Sequence, residues 1–327
     1  MQILCGDIGG TNARLLAAEV NGDKVAPIFD KTYPSHAFAS FDDVLDAFLQ
    51  EMPGKPKAVC FAIAGPVNNG TAEVTNLPWT LNTAKLQQKL SVTRLALIND
   101  FSAIAHGVNA LRDDDFRTLQ QGNLDITDSR VFLGAGTGLG VAQSVYSHGQ
   151  WRVLPSQGGH MAFSPGNAVQ RDLLRWMSDQ QDYVSNENLL SGKGLANLYR
   201  YHADAAHQLE SESVSQVLAL PDPAAAISQA AINATDEIAV DALNQFIAIY
   251  GAVAGDLALL GLAFGGVYLA GGIAPKLADQ LAGDTFLQAF HHKGPMSELM
   301  PQFPVHIIMN DRVGLMGAAL YAWQSGQ

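Results

Sequence analysis

The apolar positions fall into two rhythms. Short unbroken runs at Ile3–Cys5, Ala58–Ala64, Leu95–Ile98, Val131–Leu133, Val267–Ala270 and Val305–Met309 have the length and content of buried strands. Several end in a turn signal: Gly65-Pro66, Asn99-Asp100, Gly271-Gly272 and Asn310-Asp311. Elsewhere the spacing turns helical. Phe41, Val44, Leu45, Phe48, Leu49 and Met52 recur at three- and four-residue intervals behind Ser40, a good helix cap. Ala103–Leu111 also reads as helix. A long helix is expected from about Asp236 to Leu262, with Leu243, Phe246, Ile247, Tyr250, Val253, Leu257 and Leu260 turned to the core. Strands alternating with helices predict an α/β fold with mostly parallel sheet.

Two hairpins stand out. Ile3–Cys5 and Ala13–Val20 flank one set of glycines; Val131–Leu133 and Val141–Tyr146 flank Gly134–Gly140. Gly10-Thr11 and Gly136-Thr137 hold matching places in them, which hints at a duplicated architecture. Residues 113–128 are polar and carry five aspartates, the expected crossing into a second domain.

The length of 327 residues suits two domains better than one, and 48% hydrophobic residues supply their cores. A net charge of −12 argues against nucleic acid or an anionic membrane as partner. Leu257–Ala274 is uncharged, but its glycine pairs read as a helix end followed by a strand rather than a membrane span. The first residues, MQILCGDIGGTNAR, lack the basic and apolar regions of a signal peptide, so a cytoplasmic location is expected. Two cysteines, Cys5 and Cys60, are too few for a zinc site or a disulfide framework and read as small buried hydrophobes.

Candidate chemistry sits in glycine turns after strands: Asp7-Ile8-Gly9-Gly10-Thr11-Asn12, Gly134–Gly140, and Ala270-Gly271-Gly272-Ile273. Glycines let backbone N–H groups approach a phosphate, and threonine adds a donor. An aspartate beside them suits Mg²⁺. Neither Gly-Lys is followed by Ser or Thr, which excludes a P-loop. The G-x-G-x-x-G fingerprint fails at Leu139 or Val141, and no acid lies between Gly140 and Asp172, so hydride transfer is not expected. Asn99-Asp100, ending a buried strand, is equally readable as a ligand site or a helix cap. Taken alone, Gln157-Gly158-Gly159-His160 and Glu187 carry little.

Together these segments resemble a family. Gly6-Asp7-Ile8-Gly9-Gly10-Thr11-Asn12-Ala13-Arg14 is similar to the first phosphate motif of the hexokinase, actin and heat-shock-ATPase superfamily. With it, Ala62–Val67, Thr75-Asn76-Leu77-Pro78-Trp79, Ile98–Phe101, Gly134–Gly140, Gly158–His160, Leu190–Arg200, Phe264–Ile273 and Gly314–Gly317 resemble the bacterial ATP-dependent glucokinases, in order along the chain. The cysteine-rich zinc motif of the related repressor and sugar-kinase group is absent.

The resemblance implies a two-lobed actin-like ATPase fold, built of duplicated ribonuclease-H-like α/β domains around a central cleft. The small lobe would take residues 1–110 and about 300–327, the large lobe 111–299. It implies ATP-dependent phosphorylation of D-glucose at the 6-hydroxyl, the entry to glycolysis, by a homodimer that closes on sugar. Asp100 would be the general base. Asn99, Asp100, Gln157, His160 and Glu187 would contact sugar. Gly6, Asp7, Ile8, Gly9, Gly10, Thr11, Gly136 and Thr137 would hold the phosphates, and Gly271 and Gly272 would flank the adenosine. Asp7 would hold Mg²⁺ through water. Gln157 departs from the glutamate that precedes Gly-Gly-His in the family. An amide in its place predicts weaker sugar affinity or a changed sugar, such as fructose, mannose or an N-acetylhexosamine. A non-catalytic sugar sensor is the alternative of a different class.

Overall fold

The structure is a computed structural model in which residues 1–325 are described. The chain divides into two compact units, Met1–Asp115 with Ser147–Pro155 and Asn310–Gln327, and Phe116–Tyr146 with Ser156–Met309.

The first unit begins with β1 (Gln2–Ile8), β2 (Asn12–Asn21), β3 (Lys24–Pro34), α1 (Phe41–Glu51) and β4 (Ala58–Ile63). A small antiparallel sheet follows, of β5 (Val67–Asn68), β6 (Thr71–Glu73) and β7 (Thr80–Asn82), then α2 (Thr83–Leu90), β8 (Leu95–Asn99) and α3 (Asp100–Gly107). The main sheet has the order β3-β2-β1-β4-β8, with β1, β4 and β8 parallel and the hairpin strands β2 and β3 antiparallel at one edge. Period-two alternation splits β1 between two cores. Leu4 and Ile8 pack with Phe41, Val44 and Phe48 of α1; Ile3 and Cys5 pack on the opposite face. Ser40 caps α1 with a full capping box, its hydroxyl accepting from Asp43 N–H while the Asp43 carboxylate accepts from Ser40 N–H.

The second unit holds β9 (Phe116–Gln120), β10 (Arg130–Ala135) and β11 (Leu139–Ser147); β12 (Gln150–Pro155) is grouped with the first unit. Then come α4 (Ala168–Ser178), α5 (Gly192–Ala205), α6 (Glu212–Leu218), α7 (Pro223–Ile232), α8 (Glu237–Gly261), β13 (Val267–Leu269), α9 (Ala278–Leu281), α10 (Asp284–His291) and β14 (Val305–Ile308). Its strands run in the order β11-β10-β13-β14-β9, the central three parallel. One face of that sheet and the buried stripe of α8 share a single core, from Val131 and Leu269 to Phe246 and Tyr250. Leu260 is an exception to the expected stripe. It is 70% exposed while Leu257 and Ala258 before it and Ala263 after it are buried, so its side of the last turn faces solvent before Leu262 ends the helix in the left-handed conformation. Helix α8 is long and apolar enough to cross a membrane by length and composition, yet here it is a largely buried core element.

The last helix, α11 (Val313–Gln324), returns to the first unit and packs on α3 and the outer face of β1 and β4. The two helices touch backbone to backbone. A Cβ on Gly317 would collide with the Ala103 carbonyl, and one on Gly107 with the Val313 carbonyl. Cys5 and Cys60 lie side by side on β1 and β4, both fully buried, and burial pushes both thiols up.

Candidate functional site

In the first unit the sequence-predicted residues gather at the carboxyl ends of β1 and β8, where parallel sheets present ligands. Strand β1 runs three residues past the apolar run that marked it. Gly6, Asp7 and Ile8 are therefore strand residues rather than turn residues, and only Gly9–Thr11 lie in the turn. Gly6 and Ile8 are buried, Ile8 in the core. Asp7 is half-buried and sits opposite Arg14 in the β1–β2 ladder. Burial raises the pKa of Asp7, and the Arg14 charge opposes that rise. Arg14 also donates to the Asp311 carbonyl and carboxylate at 3.1 and 3.2 Å. The turn is braced from below: Ser35 N–H donates to the Thr11 carbonyl, and Ser35 Oγ to the Gly9 carbonyl.

Asn99 ends β8 and caps α3, so the cap and the ligand readings of Asn99-Asp100 meet in one structure. Its Oδ1 accepts from Phe101 N–H at 3.0 Å and Ser102 N–H at 3.3 Å. Its Nδ2 donates to Asp100 Oδ1 at 2.8 Å and to the Gly65 carbonyl at 3.3 Å. Phe101 N–H also reaches Asp100 Oδ1, at 2.9 Å. One carboxylate oxygen is thus held by two donors. Burial pushes the Asp100 carboxyl up to about 7, the Asp7 charge adds to the rise, and the hydrogen bonds from Phe101 and Asn99 oppose it. Two carboxylates that resist sharing charge, in one partly dry place, are what a general base and a cation site would look like.

In the second unit the turn between β10 and β11 carries Gly136 and Thr137, with Thr137 exposed at its tip. Gly136 N–H is used by the Gly138 carbonyl, 2.8 Å away, and the Gly136 carbonyl accepts from Gly192 N–H at 2.9 Å. Glu187 lies in a single 3-10 turn, Asn186–Asn188, and its Oε2 accepts from Leu139 N–H at 2.9 Å. Its other oxygen is 4.0 Å from His160 Nδ1. Two backbone bonds tie the loops of these residues together: Asn186 N–H to the Met161 carbonyl and Phe163 N–H to the Val184 carbonyl. Tyr183 Oη donates to the His160 carbonyl at 2.8 Å. Gln157 is exposed; its carbonyl accepts from His160 N–H. Gly271 adopts a left-handed backbone (φ 78°), and Ile273 N–H donates to the Ala135 carbonyl, which sets the Gly271-Gly272 turn beside the end of β10.

Sequence reasoning missed Leu139 N–H, Tyr183 and Arg14 as parts of these arrangements. Arg14 and Leu139 lay within the motifs without a role assigned; Tyr183 had no local signal. A cavity of about 490 Å³ in the first unit is lined by Pro66 and residues 73–80 and contains none of the expected site residues. Among the described residues, no group of three or more His, Cys, Asp or Glu gathers as a metal cluster.

The Glucokinase family model matches residues 4–325. A glucokinase of Nostoc sp. is 41% identical over 336 residues, covering 98% of each chain. Among solved structures, a glucokinase from an Antarctic psychrotroph is similar with a TM-score of 0.87 at 32% identity, covering 99% of each chain. The glucokinase of Balamuthia mandrillaris, solved in complex with glucose, has a TM-score of 0.80 at 26% identity, over 98% of this chain and 93% of that one.

Proposed function

The chain belongs to the glucokinase family, and from that premise we propose how its residues transfer the γ-phosphoryl group of ATP to the 6-hydroxyl of D-glucose. The observation that carries the proposal is the Asp100 carboxyl. It is oriented by Asn99 and Phe101 and kept at an affinity for protons near neutrality. That is the condition for a base that must hold no proton before the step and one proton after it. As the bond from O6 to the γ-phosphorus forms and the bond to the ADP oxygen breaks, the hydroxyl proton passes to Asp100. Positioning does most of the remaining work.

Asn99, Asp100, Gln157, His160 and Glu187 are the sugar contacts we propose. Both Asn99 amide hydrogens are engaged, so its first duty is to aim Asp100; a sugar hydroxyl would displace the longer bond to Gly65. Gly9–Thr11 and Gly136-Thr137 would take phosphate, and Gly271-Gly272 the adenosine. Gly6 and Ile8 support the first turn from within the sheet.

Mg²⁺ fits the donor present: Asp7 is a hard oxygen ligand, and a cation beside it would offset the charge that raises Asp100. Asp7 would hold it through water. Bound there, it would neutralise the charge of the β- and γ-phosphates. The resemblance further supports a cytoplasmic homodimer at the entry to glycolysis, the dimer being checked by sedimentation.

ADP release with Mg-ATP over a panel of hexoses, with a no-sugar blank and Asp100→Ala, tests the reading. Turnover on glucose that falls at least about a thousandfold in the variant is expected, the scale of losing a positioned base and its alignment. Turnover without sugar, or an unimpaired variant, would overturn it. Preference for another hexose would keep the mechanism and point to Gln157.

A further inference from the structure

Glu187 has a neighbour at each carboxylate oxygen. Its Oε1 faces His160, while its Oε2 is bound by the N–H of Leu139, the first residue of β11 after the second glycine turn. The fit is close: a Cβ on Gly138 would stand 2.5 Å from Oε2. The peptide of Glu187 joins in. Its carbonyl accepts from Ser191 Oγ at 2.8 Å, and the next residue, Gly192, donates its N–H to the Gly136 carbonyl at 2.9 Å. The turn 136–139 is therefore fastened to the segment 187–192 at both ends.

This fastening consumes donors. Gly136 N–H goes to Gly138 and Leu139 N–H goes to Glu187, which leaves Thr137 N–H, Gly138 N–H and the Thr137 hydroxyl to meet an anion. It also sets a carboxylate directly behind the turn that is to receive phosphate. A negative charge within a few ångströms of a phosphate site, partly shielded from water, opposes the anion. Sugar hydroxyls donating to Glu187 would spread that charge and remove part of the opposition.

We propose that Glu187 is a two-sided residue, a sugar contact that also sets the shape and charge of the nucleotide turn, so that sugar binding strengthens ATP binding through it. The proposal rests on the sugar and phosphate roles given above. It assigns the Leu139 N–H, and the missing side chain of Gly138, as what positions Glu187. Coupling of this kind is reciprocal: ATP must strengthen sugar binding by the same factor.

The test is titration calorimetry of the full chain with Mg-AMPPNP, with and without glucose, on wild type, Glu187→Gln and Gly138→Ala. Wild type is expected to bind the nucleotide about tenfold tighter with glucose present, a coupling of about 1.4 kcal/mol. Glu187→Gln keeps an acceptor for Leu139 N–H but loses the charge. Without sugar it is expected to bind Mg-AMPPNP several-fold tighter than wild type, with glucose adding no more. Gly138→Ala displaces the carboxylate and is expected to raise the KM for glucose several-fold, with kcat changed less. Nucleotide affinity equal to wild type in sugar-free Glu187→Gln, together with an unchanged glucose KM in Gly138→Ala, would overturn the proposal. That result would leave the kinase reading intact, whereas a wild type that does not phosphorylate glucose would sink the kinase reading itself.

Discussion

Replacing Asp100 by asparagine is expected to abolish turnover and yet stabilise the fold. The substitution keeps an oxygen for Phe101 N–H and Asn99 Nδ2, so the cap of α3 survives and only the charge is removed. In the folded chain burial and the Asp7 charge hold Asp100 near 7, against an ordinary value of 3.8. The folded state therefore binds more protons than the unfolded state between those values, and stability falls as pH rises through that window. The penalty is absent below about pH 4 and complete above about pH 7. At ~1.4 kcal/mol per unit it would reach about 4 kcal/mol. Asp100 keeps some solvent contact and shares its titration with Asp7, so about 2 kcal/mol is the figure to test. Thermal melts in EDTA, without substrates, would show it: at pH 8 Asp100→Asn should melt about 4–6 °C above wild type, and at pH 4 the two should coincide. Equal melting temperatures at pH 8, or a difference that does not change with pH, would refute the reasoning.

Other expectations follow from the same residues. Because Asp100 must be unprotonated to act, kcat/KM for glucose should fall on the acid side with an apparent pKa near 7, about tenfold lower at pH 6 than its plateau, and a flat profile from pH 5.5 to 8 would exclude Asp100 as the base. Gln157→Glu restores an anionic acceptor and should lower the glucose KM about tenfold, the gap between a charged and a neutral hydrogen bond; unchanged KM and sugar preference would count against any contact there. Gly317→Ala should cost roughly 3 kcal/mol, since a methyl would meet the Ala103 carbonyl where α11 crosses α3, and an unchanged denaturation midpoint would contradict that packing.

Local pattern was enough for much of the architecture. The run Ala58–Ala64 became β4, the stripe behind Ser40 became α1, and the glycines between apolar runs became hairpin turns. Such features depend on neighbours a few residues away, and those are written next to one another in the chain. The residues of the proposed site were singled out through a motif pattern that spans the chain. What the pattern lacked was reach. Gly6-Asp7-Ile8 looked like the start of a turn, but pairing with β2 and β4 on either side draws them into the strand. The small sheet β5–β7 was not foreseen, because two- and three-residue strands carry no period to read. Leu260 matched the core stripe and ended in solvent while Leu257, Ala258 and Ala263 are buried, since which side of the last turn meets the core is set by the packing and not by the spacing. The electrostatics were least visible of all. Asp7 raises Asp100 from 93 positions away, and Leu139 holds Glu187 across 48. A charge's environment is made by whatever the fold places around it, so the sequence determined which groups are present, and only the tertiary structure decided which of them share a proton, a hydrogen bond or a turn.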